Sequence, residues 1–279
     1  MAVSAGIPRL DGDLVGAYLQ RLGIDGEPPP TAEALAQLQR AHLWRVPFEN
    51  FDIQLGVPIE LDARRFAEKV ALRGRGGFCY ELNGAFASLL TALGFDVEFL
   101  EARVYAPSGL GGPFGHLCLG VQIGERRSLV DVGFGRGGSD EPILLEPSVV
   151  QADTAGTFVL EDAAAGTLDM LRDGLQEFRV APAGRALADF EPGCRYHQSS
   201  PDSPFTRGSV CTLRTTDGRL TLTGTRLIET SGQGRAEREL DRSAFARVLA
   251  TTFGVRLGET AIDRLMALGA SPVAGAPSA

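Results

Sequence analysis

Residues that commonly carry chemistry are scarce in this chain: its 279 positions hold four cysteines, three histidines and one tryptophan. Cys79, Cys118, Cys194 and Cys211 stand far apart and form no Cys-x-x-Cys pair. That argues against a structural zinc site and, in a reducing compartment, predicts four free thiols. Long apolar runs are absent as well. The longest, GAFASLLTALGF from Gly84, is 12 residues, includes Ser88 and Thr91, and falls well short of a bilayer span. The N-terminal MAVSAGIPRLDGDLVG carries Arg9, Asp11 and Asp13 and has no unbroken apolar stretch, so no secretory signal and a cytoplasmic location are expected. Basic residues are the minority charge: 27 Lys and Arg face 35 Asp and Glu, for a net charge of −8 and a pI near 5.0. A nucleic-acid surface needs clustered cations, and only local spots such as Arg126–Arg127 offer any, so neither nucleic acid nor membrane is expected as a partner.

What the chain does have is periodic hydrophobicity, in two registers. Leu14, Tyr18 and Leu22 recur at helical spacing, the EPPP stretch ending at Pro30 interrupts them, and Thr31 caps a second amphipathic helix carrying Ala34, Leu35, Leu38 and His42. Pro47 and Pro58 confine the segment between these helices and the next to a structured loop. Asp62 caps a third helix over 62–72. A fourth follows the RGRGG stretch, with Leu82, Phe86, Leu89, Leu90 and Leu93 inward and Gly94 at its left-handed end. Beyond Gly94 the period shortens to two. Phe95, Val97 and Phe99, then Leu117, Leu119, Val121 and Ile123, predict strands, with others at 128–132, 157–160, 176–181, 209–215 and 219–228. SAFARVLATTFG and ETAIDRLMALG predict late helices, and the last ten residues, ASPVAGAPSA, predict a disordered tail.

Against that background one cysteine is conspicuous by position. Cys79 follows two glycines and opens the fourth helix, where the positive end of the helix dipole stabilises a thiolate, the nucleophilic form. Cysteine is equally a small buried hydrophobe, the reading given to Cys118, Cys194 and Cys211; for Cys79 a partner decides. His42 lies in a helix as a packing or capping residue, and His197 is expected in a loop. His116 instead opens a strand after the glycine-rich SGLGGPFG, and Asp131 closes the next strand. The midpoint of their spacing falls between Ile123 and Gly124, so a hairpin turning there sets His116 directly opposite Asp131. With Cys79 alongside, the three make a nucleophile, a base and an orienting carboxylate, and backbone N–H groups at the helix start can serve an oxyanion. The GFGRGG stretch, Gly133 to Gly138, formally matches a dinucleotide-binding Gly-x-Gly-x-x-Gly. Pro142 and Pro147 prevent the helix such a site needs, so that reading is set aside.

The stretches RGGFCYELN, HLWRVPFENFD and LVDVGFG, with SPDSPF as a weaker match, resemble the arylamine N-acetyltransferases from about Ala41 to Phe205. The resemblance implies an α+β fold with a cysteine-protease-like core. Residues 1–90 would form a helical domain carrying Cys79, 91–195 a β-barrel domain carrying His116 and Asp131, and 196–279 an α/β lid with the tail. It further implies acetyl transfer from acetyl-CoA through Cys79 to an arylamine, hydrazine or arylhydroxylamine, with no metal and no permanently bound cofactor. Phe48, Phe134, Gly135 and Phe205 would line the acceptor site, and an Arg75–Glu49 ion pair would tie the PFEN segment to the nucleophile loop. Two other activities stay open: macrolactam closure in ansamycin-type biosynthesis by a relative of the same family, and a Cys-His-Asp hydrolase. The natural amine and the oligomeric state, monomer or homodimer, are undecided at this level.

Overall fold

The computed structural model describes residues 6–268; the tail predicted at the C-terminus lies outside them. Helices form where their caps dictate. Helix α1 (Gly12–Leu22) starts at Asp11, whose carboxylate accepts from the Leu14 amide at 3.0 Å, and ends at Gly23 with φ +64°. Helix α2 (Ala32–Arg45) starts at Thr31. After the short strand β1 (Phe48–Glu49) and helix α3 (Phe51–Leu55), Asp62 accepts from the Arg64 and Arg65 amides at 3.0 and 3.1 Å and opens α4 (Ala63–Ala71). The segment expected as loop is thus part strand and part helix. Helix α5 (Cys79–Ala92) has no charged residue beyond Glu81, and Cys79 through Leu90 are all buried. A helix this apolar and buried on every face belongs inside, and α5 packs against α1, α4 and the first long strands.

Those strands build a nearly closed, antiparallel, barrel-like sheet. They are β2 (Asp96–Ala106), the short β3 (Gly109–Leu110) paired to it, β4 (His116–Ile123), β5 (Arg126–Val130), β6 (Ile143–Leu144), β7 (Gln151–Asp153), β8 (Gly156–Asp162), β9 (Leu168–Arg172) and β10 (Leu175–Arg185). Their order is β6-β5-β4-β2-β10-β9-β8-β7. The β4–β5 register differs from the one expected. Gly124, at φ +59°, is the first of two loop residues, and Ile123 pairs Arg126 and Leu119 pairs Val130. Asp131 therefore lies one residue past β5 rather than closing it. It extends the register opposite Cys118, two residues from the position facing His116.

Helix α6 (Glu191–Ser199), with a proline in its first turn, leads to a second sheet; His197 lies in this helix and not in a loop. The second sheet is a meander of β11 (Val210–Thr215), β12 (Gly218–Thr223), β13 (Arg226–Ser231) and β14 (Gly234–Glu239), so the single strand expected over 219–228 is two. Helices α7 (Arg242–Thr251) and α8 (Glu259–Leu268) cover it around Phe245, Leu249, Phe253 and Leu265. Strand β1 completes its edge, Phe48 pairing Thr212 and Glu49 pairing Cys211, while the Glu49 amide donates to the Gly77 carbonyl at 2.8 Å. The segment before Cys79 is thereby held to the last sheet.

Candidate active site

Cys79, His116 and Asp131 come together from three elements: the first position of α5, the first of β4, and the residue after β5. All three are buried. His116 Nε2 and Asp131 Oδ2 are 2.6 Å apart, and Cys79 lies near enough to the imidazole to act on its charge. Burial alone would push the His116 pKa down. The Asp131 charge and hydrogen bond, then the Cys79 contact, outweigh it and raise the pKa to about 10, so this imidazole is a cation at neutral pH. The first-turn amides of α5 have no side-chain cap, because Phe78 cannot accept a hydrogen bond.

Asn83 is the member that sequence reasoning did not single out. Its Nδ2 donates to Asp131 Oδ1 at 2.9 Å and to the Leu117 carbonyl at 2.7 Å, and its Oδ1 accepts from the Val132 amide at 3.0 Å. The Gly133 amide adds a bond to Asp131 Oδ1 at 2.8 Å. A signal existed: Asn83 lies four residues after Cys79, hence on the same face of a largely apolar helix. Gly133 is required by close approach, since a Cβ there would lie 2.8 Å from the Cys79 Cα. The loop before His116 is pinned as well. Phe114 has φ +54°, its carbonyl accepts from the Tyr80 hydroxyl at 2.7 Å, and the Gly115 carbonyl accepts from His197 Nε2 at 3.0 Å.

Of the residues expected around the acceptor, Phe48 and Phe205 have ring centroids 5.7 Å apart. Gly135 sits against the Phe48 ring so closely that a Cβ would lie 3.0 Å from it. The Phe134 ring lies beside the imidazole, 5.3 Å from His116, and packs on Phe178 at 5.1 Å at the edge of the barrel core. Behind the nucleophile loop, Arg75 meets Glu49 and Asp52 at 2.8 Å each, and Lys69 meets Asp52 and Glu81 at 2.6 Å each. The Arg75–Glu49 pair is thus one link of a five-residue chain in which Glu49, Lys69 and Glu81 are buried and Arg75 and Asp52 partly so. The Glu81 carboxylate, pushed up to about 7 by burial against the pull of Lys69, also accepts from the Phe78 amide at 3.2 Å. The four cysteines are all buried and unpaired, and Cys118, Cys194 and Cys211 have thiols pushed up by burial.

Comparison with known proteins fits this geometry. The sequence model of a family described as N-acetyltransferase matches residues 31–262. An arylamine N-acetyltransferase of Mycobacterium bovis is 34% identical over 279 residues, covering 94% of this chain and 98% of the relative. The solved arylamine N-acetyltransferase of Mycobacterium smegmatis superposes with a TM-score of 0.84 at 31% identity, covering 94% of this chain and all of that one. A Mycobacterium marinum arylamine N-acetyltransferase solved in complex with CoA gives a TM-score of 0.81 at 31% identity, covering 91% and 97%. A cysteine opening a buried helix, a histidine opening a barrel strand and this extent of similarity lead to one assignment: the chain belongs to the arylamine N-acetyltransferase family of acyltransferases.

Proposed function

We propose that the chain transfers acetyl from acetyl-CoA to an aromatic amine, hydrazine or arylhydroxylamine in two half-reactions through Cys79. The single observation that carries this reading is the buried imidazole of His116, bonded to the Asp131 carboxylate at 2.6 Å and within electrostatic reach of Cys79. Cys79 thiolate attacks the thioester carbonyl carbon, the bond to the CoA sulfur breaks, and the His116 imidazolium gives its proton to the departing thiolate. Acetylation removes the sulfur's influence on His116, one of those that hold its proton, so the imidazole of the acyl-enzyme is free to act as a base. The amine nitrogen then attacks the acetyl carbon, His116 takes the proton the nitrogen sheds, and Cys79 leaves as thiolate. Asp131, held by Asn83 and Gly133, fixes the ring and its tautomer, while the open amides of α5 are positioned to receive the oxyanion.

Phe48, Phe134, Gly135 and Phe205 are the residues we assign to the acceptor aromatic ring, Phe134 closing it on the His116 side. We further assign a three-part, cysteine-protease-like organisation: a helical part to about residue 90, a barrel part to about 195, and an α/β part that covers the cleft. No described helix is long and apolar enough to cross a membrane. Four unpaired thiols suit a reducing cytoplasm. Intact-protein mass spectrometry after acetyl-CoA tests the reading. An adduct of about 42 Da, one acetyl group on the nucleophile, should form, discharge when an arylamine is added, and be absent from Cys79→Ala. Labelling of any other cysteine would remove Cys79 from its role.

A further inference from the structure

The loop from Gly133 to Gly138 is ringed by four arginines, and three of them are answered by carboxylates. Arg214 grips Asp140 through Nε and Nη2 at 2.9 and 2.6 Å, and Arg136 and Arg172 share Glu177 at 3.2 and 3.0 Å. Asp153 stands behind Asp140, its Oδ2 taken up by the Asp140 and Glu141 amides. Four guanidinium groups against three carboxylates leave one positive charge unanswered. That charge is Arg219, which faces Arg214 across β11 and β12 and has no ion pair among the described residues. Its Nη1 donates to the Gly135 carbonyl and lies 3.4 Å from Thr212 Oγ1, which leaves Nη2 and Nε uncommitted. Burial, then Arg214 and Arg172, push this guanidinium down to about 10 against the smaller pull of Asp140 and Glu177, neither of which is in ion-pair contact with it. Arg136 Nε is buried without a partner. The location matters as much as the charge, because the Gly135 that Arg219 holds is the residue packed on the Phe48 ring.

We propose that Arg219 anchors an anionic group of a substrate beside the acceptor ring site, its uncommitted guanidinium edge taking a carboxylate on the aromatic amine or a phosphate of the CoA donor. The proposal rests on the acetyl-transfer reading above. A planar fork with two free donors suits either oxyanion, and a bound anion would cancel the residual charge of the cluster.

Arg219→Gln and Arg219→Lys test it, with kcat/KM measured on pairs differing in charge: 4-aminobenzoate against 4-aminobenzamide as acceptors, and acetyl-CoA against 4-nitrophenyl acetate as donors. Loss of one charge-assisted bond should lower kcat/KM by about 10- to 100-fold for the charged member of one pair only, and Arg219→Lys should recover part of it. A loss confined to 4-aminobenzoate identifies the carboxylate as the anion, and one confined to acetyl-CoA identifies the phosphate. Equal effects on charged and neutral substrates, with lysine no better than glutamine, overturn the anchor. Should Arg219→Gln not fold by circular dichroism, inhibition of the wild-type enzyme by benzoate and by inorganic pyrophosphate, each against benzamide, decides: inhibition that ignores charge overturns the proposal. A wild-type protein that forms no acetyl adduct defeats the underlying reading, whereas normal acetylation without charge discrimination defeats only the anchor.

Discussion

Two histidines of this protein are equally buried and behave oppositely. His42, in the helical core between α1 and α2, has the Tyr18 hydroxyl 3.0 Å from its Nε2, and burial followed by the Arg21 charge lowers its pKa to about 3. His116 is raised to about 10. Removal from water pushes both down; what separates them is a carboxylate 2.6 Å away and the nearby Cys79 thiol. A buried histidine is thus held neutral or cationic according to its partners.

The largest effect should come from removing the partner. Asp131→Asn keeps the shape but not the charge, so the His116 midpoint, followed by NMR of the ring Cε1–H, should fall from about 10 to below the ordinary histidine value. Turnover should drop with it, by a factor on the order of 10⁴ if the carboxylate matters here as much as its counterpart does in the serine triad. An enzyme folded by circular dichroism that kept near wild-type acetylation would separate His116's charge from catalysis.

Next in size is the effect of acid on the two rings, and its signs are opposite. Between about pH 6.5 and pH 3 the unfolded chain binds a proton at His42 that the folded chain refuses. Stability should therefore be lost as pH falls through that window, at up to about 1.4 kcal/mol per unit. His116 contributes stability that is complete below about 6.5 and lost as pH rises through about 10. Urea denaturation across pH should show His42→Gln flattening the acid limb and Asp131→Asn flattening the alkaline one. A variant that flattened the wrong limb would reverse the assignment of the two rings.

Asn83→Ala comes third. It leaves Asp131 charged but strips the amide bond at 2.9 Å and frees the Val132 amide, so the carboxylate loses its orientation rather than its charge. A fall of about 10- to 100-fold in kcat is expected, as for other residues that orient a functional group from behind. The His116 midpoint should stay far above the ordinary value, and a collapse of that midpoint would show that Asn83 sets charge and not orientation.

These residues also mark what a sequence can and cannot display. The His116–Asp131 pair is legible because a hairpin is local. Its register is offset by two residues from the one the spacing predicts because Gly124 is the first loop position, and the bond survives because diagonal neighbours across a strand pair remain within reach of a long side chain. Helices with caps at Asp11, Thr31 and Asp62 are legible for the same local reason. Strand β1 is not: two residues pair with Cys211 and Thr212 far along the chain, and no local period announces a contact of that kind. His197 reads as a loop residue because Pro192 and Gly193 mask a short helix. The ring of arginines around Gly135 is assembled from β9, β11, β12 and a loop, and only the fold brings them together.

The smallest expected effect returns to the helical core and asks whether it is as silent as its chemistry suggests. Tyr18 and His42 are both fully buried, and their bond at 3.0 Å is the one polar contact each side chain makes among the described residues, His42 Nδ1 having no partner. Tyr18→Phe removes the hydroxyl and leaves the ring, so packing is kept and His42 Nε2 is left unpaired away from water. That should cost about 1–2 kcal/mol, which for a chain of this size is a fall of roughly 2–8 °C in Tm. Acetylation of Cys79 and kcat/KM should not change, because no hydrogen bond among the described residues links His42 to the His116 network. A Tm held constant while kcat fell would show instead that the helical core transmits to the nucleophile through α5, whose Phe86 ring packs on His42 at 5.1 Å.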